Sequence, residues 1–398
     1  MRRVGVVGDG LSGLAAALSV VQGGAEAVVF GIQEPIGGRA SPLPSTGKNW
    51  LFDQTPLMWR RKGDLDQALR RLKTPMPTRT INTSLLAVIR NNQRISIPQS
   101  RGMLRRYTGP LAESWGEIIR HSRRGSIPEL SGLESDIVHF LGLLSHLDPT
   151  RLNSASLSQS IQNLVWKDSP RVPLDGWVGA SGRLIAAGRL TDVTVLTEGQ
   201  VTELRINKNG QVDGVRRKGR VFPVDSVVLA CPLSSKRRIL ESSGIAIGNL
   251  PKVKLNTVWA RYIGLSGCFM RPHIALWDAD REVLAIDLAQ HAPERVPREF
   301  VGSASLLHCF AYGSKSTAEK RIEEFLNTQC CGWESAIKSD ITIPELRLSD
   351  AASTSFTPFD IFSDVGIFLA GSGLKVESEP GDHAVYTGMQ AGRAASQF

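Results

Sequence analysis

At 398 residues, 41% apolar and 21% charged, the chain is too apolar for a disordered protein and too long for one hydrophobic core, so two domains are expected. Its 47 Lys and Arg against 38 Asp and Glu leave a formal charge of +9 without a nucleic-acid-binding signature, which argues against nucleic acid as a partner. No apolar run is long enough for a membrane span, the glycine-interrupted N-terminus does not read as a signal peptide, and five scattered cysteines give neither a CxxC pair nor a zinc spacing. A cytoplasmic protein without a metal site is the expectation.

Val4–Val7 is a short, uncharged, valine-rich run of the kind buried on both faces of a parallel sheet. Gly8-Asp9-Gly10-Leu11-Ser12-Gly13 follows, then an Ala- and Leu-rich helix from Leu14 to Val21, stopped by Gly23-Gly24, and a second strand at Ala27–Phe30. Together these make one βαβ unit. Gly8 permits the tight turn, Gly10 lets the backbone approach a diphosphate, and Gly13 lets helix and strand close up. The free amides opening the helix, at Leu11 and Ser12, then face the phosphates with the helix dipole behind them. A dinucleotide is expected, and the motif alone serves NAD and FAD equally.

Downstream, the pattern predicts a helix over Asp64–Leu72, then helical structure across residues 100–165, cut by Gly109-Pro110 and Pro128. A short helix at Gly182–Leu190 leads to strands at Val193–Leu196, Val201–Ile206 and Val212–Val215, with Asn209-Gly210 as a hairpin turn. Asp225–Ala230 reads as a buried strand closed by Cys231-Pro232. Strand-like runs alternate over 252–310, and 316–327 is a helix. Val365–Ala370 is a last strand, followed by Gly371-Ser372-Gly373 and a closing helix over Asp382–Gln397.

Gly37-Gly38-Arg39-Ala40 follows the second strand, and there the chain resembles the FAD-dependent flavoprotein superfamily of amine oxidases, protoporphyrinogen oxidase, phytoene-type desaturases and renalase. The resemblance continues in Phe52-Asp53-Gln54-Thr55-Pro56, Gly179–Leu184, Val201–Leu204, Val227–Pro232, and Ile367–Gly371 with Gly381, His383-Ala384 and Gly388–Ala395. It implies FAD as cofactor, with Gly38 and Arg39 at the diphosphate, the Val201 backbone at the adenine, and Gly371, Ser372, His383 and Ala384 toward the flavin. An arginine fork suits phosphate oxygens chemically.

The fold class implied is α/β. A Rossmann-like GxGxxG FAD-binding domain is expected from residues 1–80, 183–240 and 355–398, and a mixed α+β substrate domain with a helical insertion from 81–182 and 241–354. The activity implied is an FAD-dependent oxidoreductase removing a hydride from a C–N or C–C bond of a small or lipophilic substrate. The alternative is a non-catalytic relative with weakened or lost FAD binding.

Departures from the family pattern motivate that alternative. The acid that grips the ribose hydroxyls about 20 residues past the glycine turn is replaced by Gly31, with Gln33 or Glu34 left to reach back. On this reading Gly31→Glu raises FAD affinity. Ser372 stands where an acid is usual, Thr55 where a glycine is, and Asp9 puts a carboxylate inside the turn.

Two residues are catalytic candidates. Lys252, in Lys252-Val253-Lys254-Leu255, lies where amine-oxidising members hold a water at the flavin; a lysine on a strand edge is the bland reading. His383 either donates to flavin or substrate or caps the last helix. Trp259, Tyr262, Trp277 and Phe310 are either core or cavity wall. The arginines of 101–124 read as a solvated helical face or a peripheral contact with anionic lipid, which would make the protein membrane-associated.

Overall fold

The structure, a computed structural model, describes residues 1–32, 34–43, 49–55, 58–97, 110–125, 127–146, 154–162, 171–190, 193–248, 250, 253–351, 359–371 and 380–398. A five-stranded parallel sheet runs in the order Ile367–Leu369, Ser226–Leu229, Arg3–Val7, Glu26–Phe30, Thr194–Leu196. Val4, Val6, Val227 and Val228 are buried in it, as uncharged β-branched strands covered on both faces should be. From the central Arg3–Val7 strand the chain first builds toward one edge and later returns to build toward the other. The switch point, where ligands bind in open α/β sheets, therefore lies at the C-terminal ends of Arg3–Val7 and Ser226–Leu229.

The helix Leu11–Gln22 packs along the sheet, and the closing helix Pro380–Gln397 lies against it. Their backbones nearly touch. A Cβ at Gly388 would lie 2.2 Å from the Ser12 carbonyl oxygen, and one at Gly392 would lie 2.3 Å from that of Ala16. The four-residue spacing keeps both glycines on one face, so packing alone accounts for them.

A three-stranded antiparallel sheet, Val201–Ile206, Val212–Arg217 and Arg220–Pro223, covers part of the parallel sheet. The second large sheet has seven strands in the order Ile337–Ala351, Val253–Leu265, Ser305–Ala311, Val283–Asp287, Ala275–Asp278, Leu86–Arg90, Gln93–Ser96. Helices Pro110–Arg123, Gly132–His146 and Ser154–Ile161 join the same main core as this sheet's inner face. Among the described residues no helix is long and apolar enough to cross a membrane, and no His, Cys, Asp and Glu cluster could hold a metal.

Several elements differ from the sequence expectation. The helix expected from Gly182 begins at Gly176, running through Gly179 and Gly182. The strand expected from Val365 begins at Ile367, because Gly366 sits at φ +82 and ends a short 3-10 turn. The helix Leu233–Ser242 and the edge strand Ile337–Ala351 carry no prior expectation.

His308 is fully buried against the main core, its ring 5.6 Å from Phe52 and 5.5 Å from Tyr262. Burial, with the charge of Arg295 adding to it, pushes its pKa down to about 3. The unfolded chain takes up a proton near the ordinary histidine value of about 6.5, which the folded chain refuses until about pH 3. Stability present above pH 6.5 should therefore be lost as pH falls through that window, by about 1.4 kcal/mol per unit. His308→Phe should flatten this acid slope in urea unfolding, and an unchanged slope would assign it to other groups.

Candidate functional site

The glycine turn sits at the switch point. Gly8, at φ +119, donates its amide to the Phe30 carbonyl at 3.0 Å, and a Cβ there would lie 2.8 Å from the backbone carbon of Ala230. A Cβ on Gly13 would fall 1.9 Å from the Gly8 carbonyl oxygen, so only glycine lets the helix start this close to the strand.

Gly10 is different. Among the described residues its added Cβ would meet only the Gly37 carbonyl oxygen, at 3.9 Å, so these neighbours do not demand glycine there. Gly10 is the N-cap of Leu11–Gln22 and provides no side-chain cap, and Gly8 through Leu11 are half-exposed. Helix amides that no side chain caps among the described residues, at a half-exposed turn, suit an anion.

Gly37 and Gly38, at φ +130 and +56, form one wall of this mouth. Gly38 abuts Gly10, a Cβ on it falling 3.1 Å from the Gly10 Cα, while Gly37 rests on Ser181 of the Gly176–Leu190 helix. Arg39 is exposed and its guanidinium donates to the Leu348 carbonyl on the edge strand. On the far side, Gly371 at φ +78 abuts the Ser12 side chain, and its amide donates to Thr387 Oγ1 at 2.9 Å. Thr387 in turn donates to the His383 carbonyl at 2.8 Å. His383 and the half-buried Ala384 thus lie in the first turns of the closing helix, tied to the same end of the crevice.

The second strand ends at Gly31, whose amide donates to the Leu196 carbonyl at 2.8 Å. A Cβ on Gly31 would lie 2.8 Å from Asp9 Oδ2. Asp9 therefore occupies the space a side chain at 31 would use, so Gly31→Glu requires the Asp9 carboxylate to move. Burial raises the Asp9 pKa, partly offset by a hydrogen bond to its own amide. Glu34 turns instead to Thr197, whose hydroxyl lies 3.5 Å from its Oε1. Val201 is buried at the start of the antiparallel sheet, and Arg217 secures the adjoining loop by donating to the carbonyls of Thr197, Glu198 and Gly199.

Gln33, Lys252 and Ser372 lie outside the described residues, as do Arg101, Arg105 and Arg106. Arg120 pairs with Glu117 at 2.6 Å, and Arg123 and Arg124 are exposed. Tyr262, Trp277 and Phe310 are buried and stack edge-to-face with neighbouring rings, so they are core.

Several buried polar residues have partners that no spacing in the sequence indicates. Asp53 accepts the Trp177 amide at 2.9 Å and pairs with the fully buried Arg295. Asp382 caps the Asp64–Arg71 helix from 317 positions away, accepting the Leu65 amide at 3.0 Å. Lys236 is buried, with Nζ donating to the Ala370 carbonyl at 2.7 Å, just ahead of Gly371. Trp59 and Trp177 face each other at 5.4 Å and, with Met58, Leu65 and Asp382, line a small cavity beside the closing helix.

No protein-family model matches the sequence, and no curated protein matches it. Solved structures do. An oxidoreductase from Methanosarcina mazei aligns with a TM-score of 0.73 at 16% identity, over 98% of this chain and 99% of that one. Cyclohexylamine oxidase from Brevibacterium oxydans IH-35A gives 0.65 at 13%, over 100% and 99%. Wild-type putrescine oxidase bound to putrescine gives 0.63 at 16%, over 98% of each chain. At these identities the likeness is one of fold, and the chain has, over its whole length, the fold of the flavin amine oxidases and related oxidoreductases.

Proposed function

We propose that the protein is an FAD-dependent oxidoreductase that takes a hydride from a C–N or C–C bond of a small or lipophilic substrate. The observation that carries this reading is the uncapped, half-exposed helix mouth at the switch point, with room left over Gly10. The amides of Leu11, Ser12 and Gly13 would hold the diphosphate, against the backbone of Gly8, Gly10 and Gly38. Arg39 joins them by exchanging the Leu348 carbonyl for a phosphate oxygen, an acceptor that forms the stronger bond to a guanidinium. Gly31 and Val201 would flank the adenosine, and Gly371, Ser372, His383 and Ala384 the flavin end.

The flavin, when bound, supplies the hydride acceptor. What the chain contributes is orientation and dryness. Lys252 belongs to this reading as the residue that would hold a water near the reacting centre, and His383 as a donor there. The exposed Arg120, Arg123 and Arg124 suit peripheral contact with anionic headgroups during delivery of a lipophilic substrate.

Purified protein should be yellow, or take up FAD with heat in calorimetry and release its flavin on denaturation. A colourless protein that gives no heat with FAD would establish the second reading, a fold relative without the cofactor. The engagement of Arg39 by Leu348 is what favours that one.

A further inference from the structure

We infer that Asp9, from within the glycine turn, is the acceptor for the ribose hydroxyls of the bound dinucleotide, replacing a side chain at position 31. The inference rests on the dinucleotide reading above and goes beyond it to one residue and one ligand group. In dinucleotide folds of this kind an acid at the end of the second strand accepts from the ribose diol. Here that strand end is glycine, yet a carboxylate is still present. The Asp9 Oδ2, Cγ and Cβ atoms lie 2.8, 3.2 and 3.3 Å from where a Cβ on Gly31 would be.

The two segments are fixed relative to one another. Gly8 donates to Phe30 O at 3.0 Å and Gly31 to Leu196 O at 2.8 Å, so the turn and the strand end are tied through backbone rather than through mobile side chains. Asp9 is half-exposed, and no cation among the described residues offsets its burial. A carboxylate in that state suits hydroxyl donors and opposes phosphate oxygens. A vicinal diol offers two donors to two carboxylate oxygens, whereas a 2′-phosphate in the same place would meet like charge. Glu34, the other acid near the strand end, is exposed and turned to Thr197.

The test uses the purified full chain, stripped of flavin where it carries any, and isothermal titration with FAD, ADP, 2′-deoxy-ADP and 2′-phospho-ADP. The wild type should bind ADP about ten- to a hundred-fold more tightly than 2′-deoxy-ADP, the span of a hydrogen bond to a charged group, and should reject the 2′-phosphate. Asp9→Asn, which keeps the side chain's shape, should lose that hydroxyl preference while its melting temperature stays at the parent value. Glu34→Gln should keep it. Moving the acid by combining Asp9→Gly with Gly31→Glu should restore it, whereas Gly31→Glu alone should not. FAD binding by a wild type that treats ADP and 2′-deoxy-ADP alike, or an intact preference in Asp9→Asn, overturns this assignment and leaves the cofactor reading standing. Failure of the wild type to bind either FAD or ADP removes both.

Discussion

Asp53→Ala should cost the fold about 3–5 kcal/mol, the loss expected when one partner of a buried ion pair is removed and the other charge is left uncompensated. Arg295 is 0% exposed and Asp53 is 2% exposed. The carboxylate joins three distant segments. Its Oδ2 meets Arg295, its Oδ1 accepts the Trp177 amide at 2.9 Å, and the Arg295 carbonyl accepts the Leu51 amide at 2.9 Å. Arg295 Nε and Nη1 have no other partner among the described residues, so the truncation would leave nearly the whole guanidinium unmatched in the core. The Trp177 amide, at the start of its helix, would be orphaned as well. Asp53→Leu combined with Arg295→Met should recover most of the loss, because a well-packed apolar pair avoids the desolvation cost. Urea unfolding with an unchanged m-value would measure both. An Asp53→Ala protein within about 1 kcal/mol of its parent would show that the pair is only a surface-like contact. In the sequence this aspartate belongs to a stretch that resembles the flavoprotein family; its structural role is a clamp between the loop at 50–54, the Gly176–Leu190 helix and the Pro293–Arg295 turn.

The parts of this molecule legible in the sequence are those whose cause is local. The glycine turn, its helix and the short valine strands follow from residues within one βαβ unit of each other. Edges and long-range pairs are a different matter. The Ile337–Ala351 strand contains Pro344, which argues against a central strand, and the structure resolves the conflict by placing it at the edge of its sheet. Asp53 and Arg295 are 242 positions apart, and Asp382 and Leu65 are 317 apart, so no spacing rule connects either pair. Lys236, on a helix for which the sequence carries no expectation, is 1% exposed, its ammonium held by the Ala370 carbonyl just past the last strand. The exchange of Asp9 for a side chain at 31 combines both cases. Each residue alone looks like a defect in the motif, and only the fold brings them into one volume.

Gly13→Ala and Gly10→Ala should separate what the glycine turn does for the fold from what it does for a ligand. At position 13 the new methyl would sit 1.9 Å from the Gly8 carbonyl oxygen and 2.8 Å from its carbon, both backbone atoms that cannot swing aside. The helix start must then lift from the strand end, at a cost of about 1–3 kcal/mol or more, and FAD binding should fall with stability. At position 10 the methyl meets nothing closer than the Gly37 carbonyl oxygen at 3.9 Å, and the backbone is extended at φ −74, so the fold should be unaffected within about 0.5 kcal/mol. FAD affinity should nonetheless drop by at least about tenfold, because the methyl stands where the diphosphate approaches the helix amides. Paired melts and titrations of the two variants decide between the possibilities. A Gly10→Ala protein that binds FAD as tightly as its parent would mean that the space over Gly10 is not where the cofactor's diphosphate lies, and that glycine would have neither a packing nor a ligand reason among the described residues.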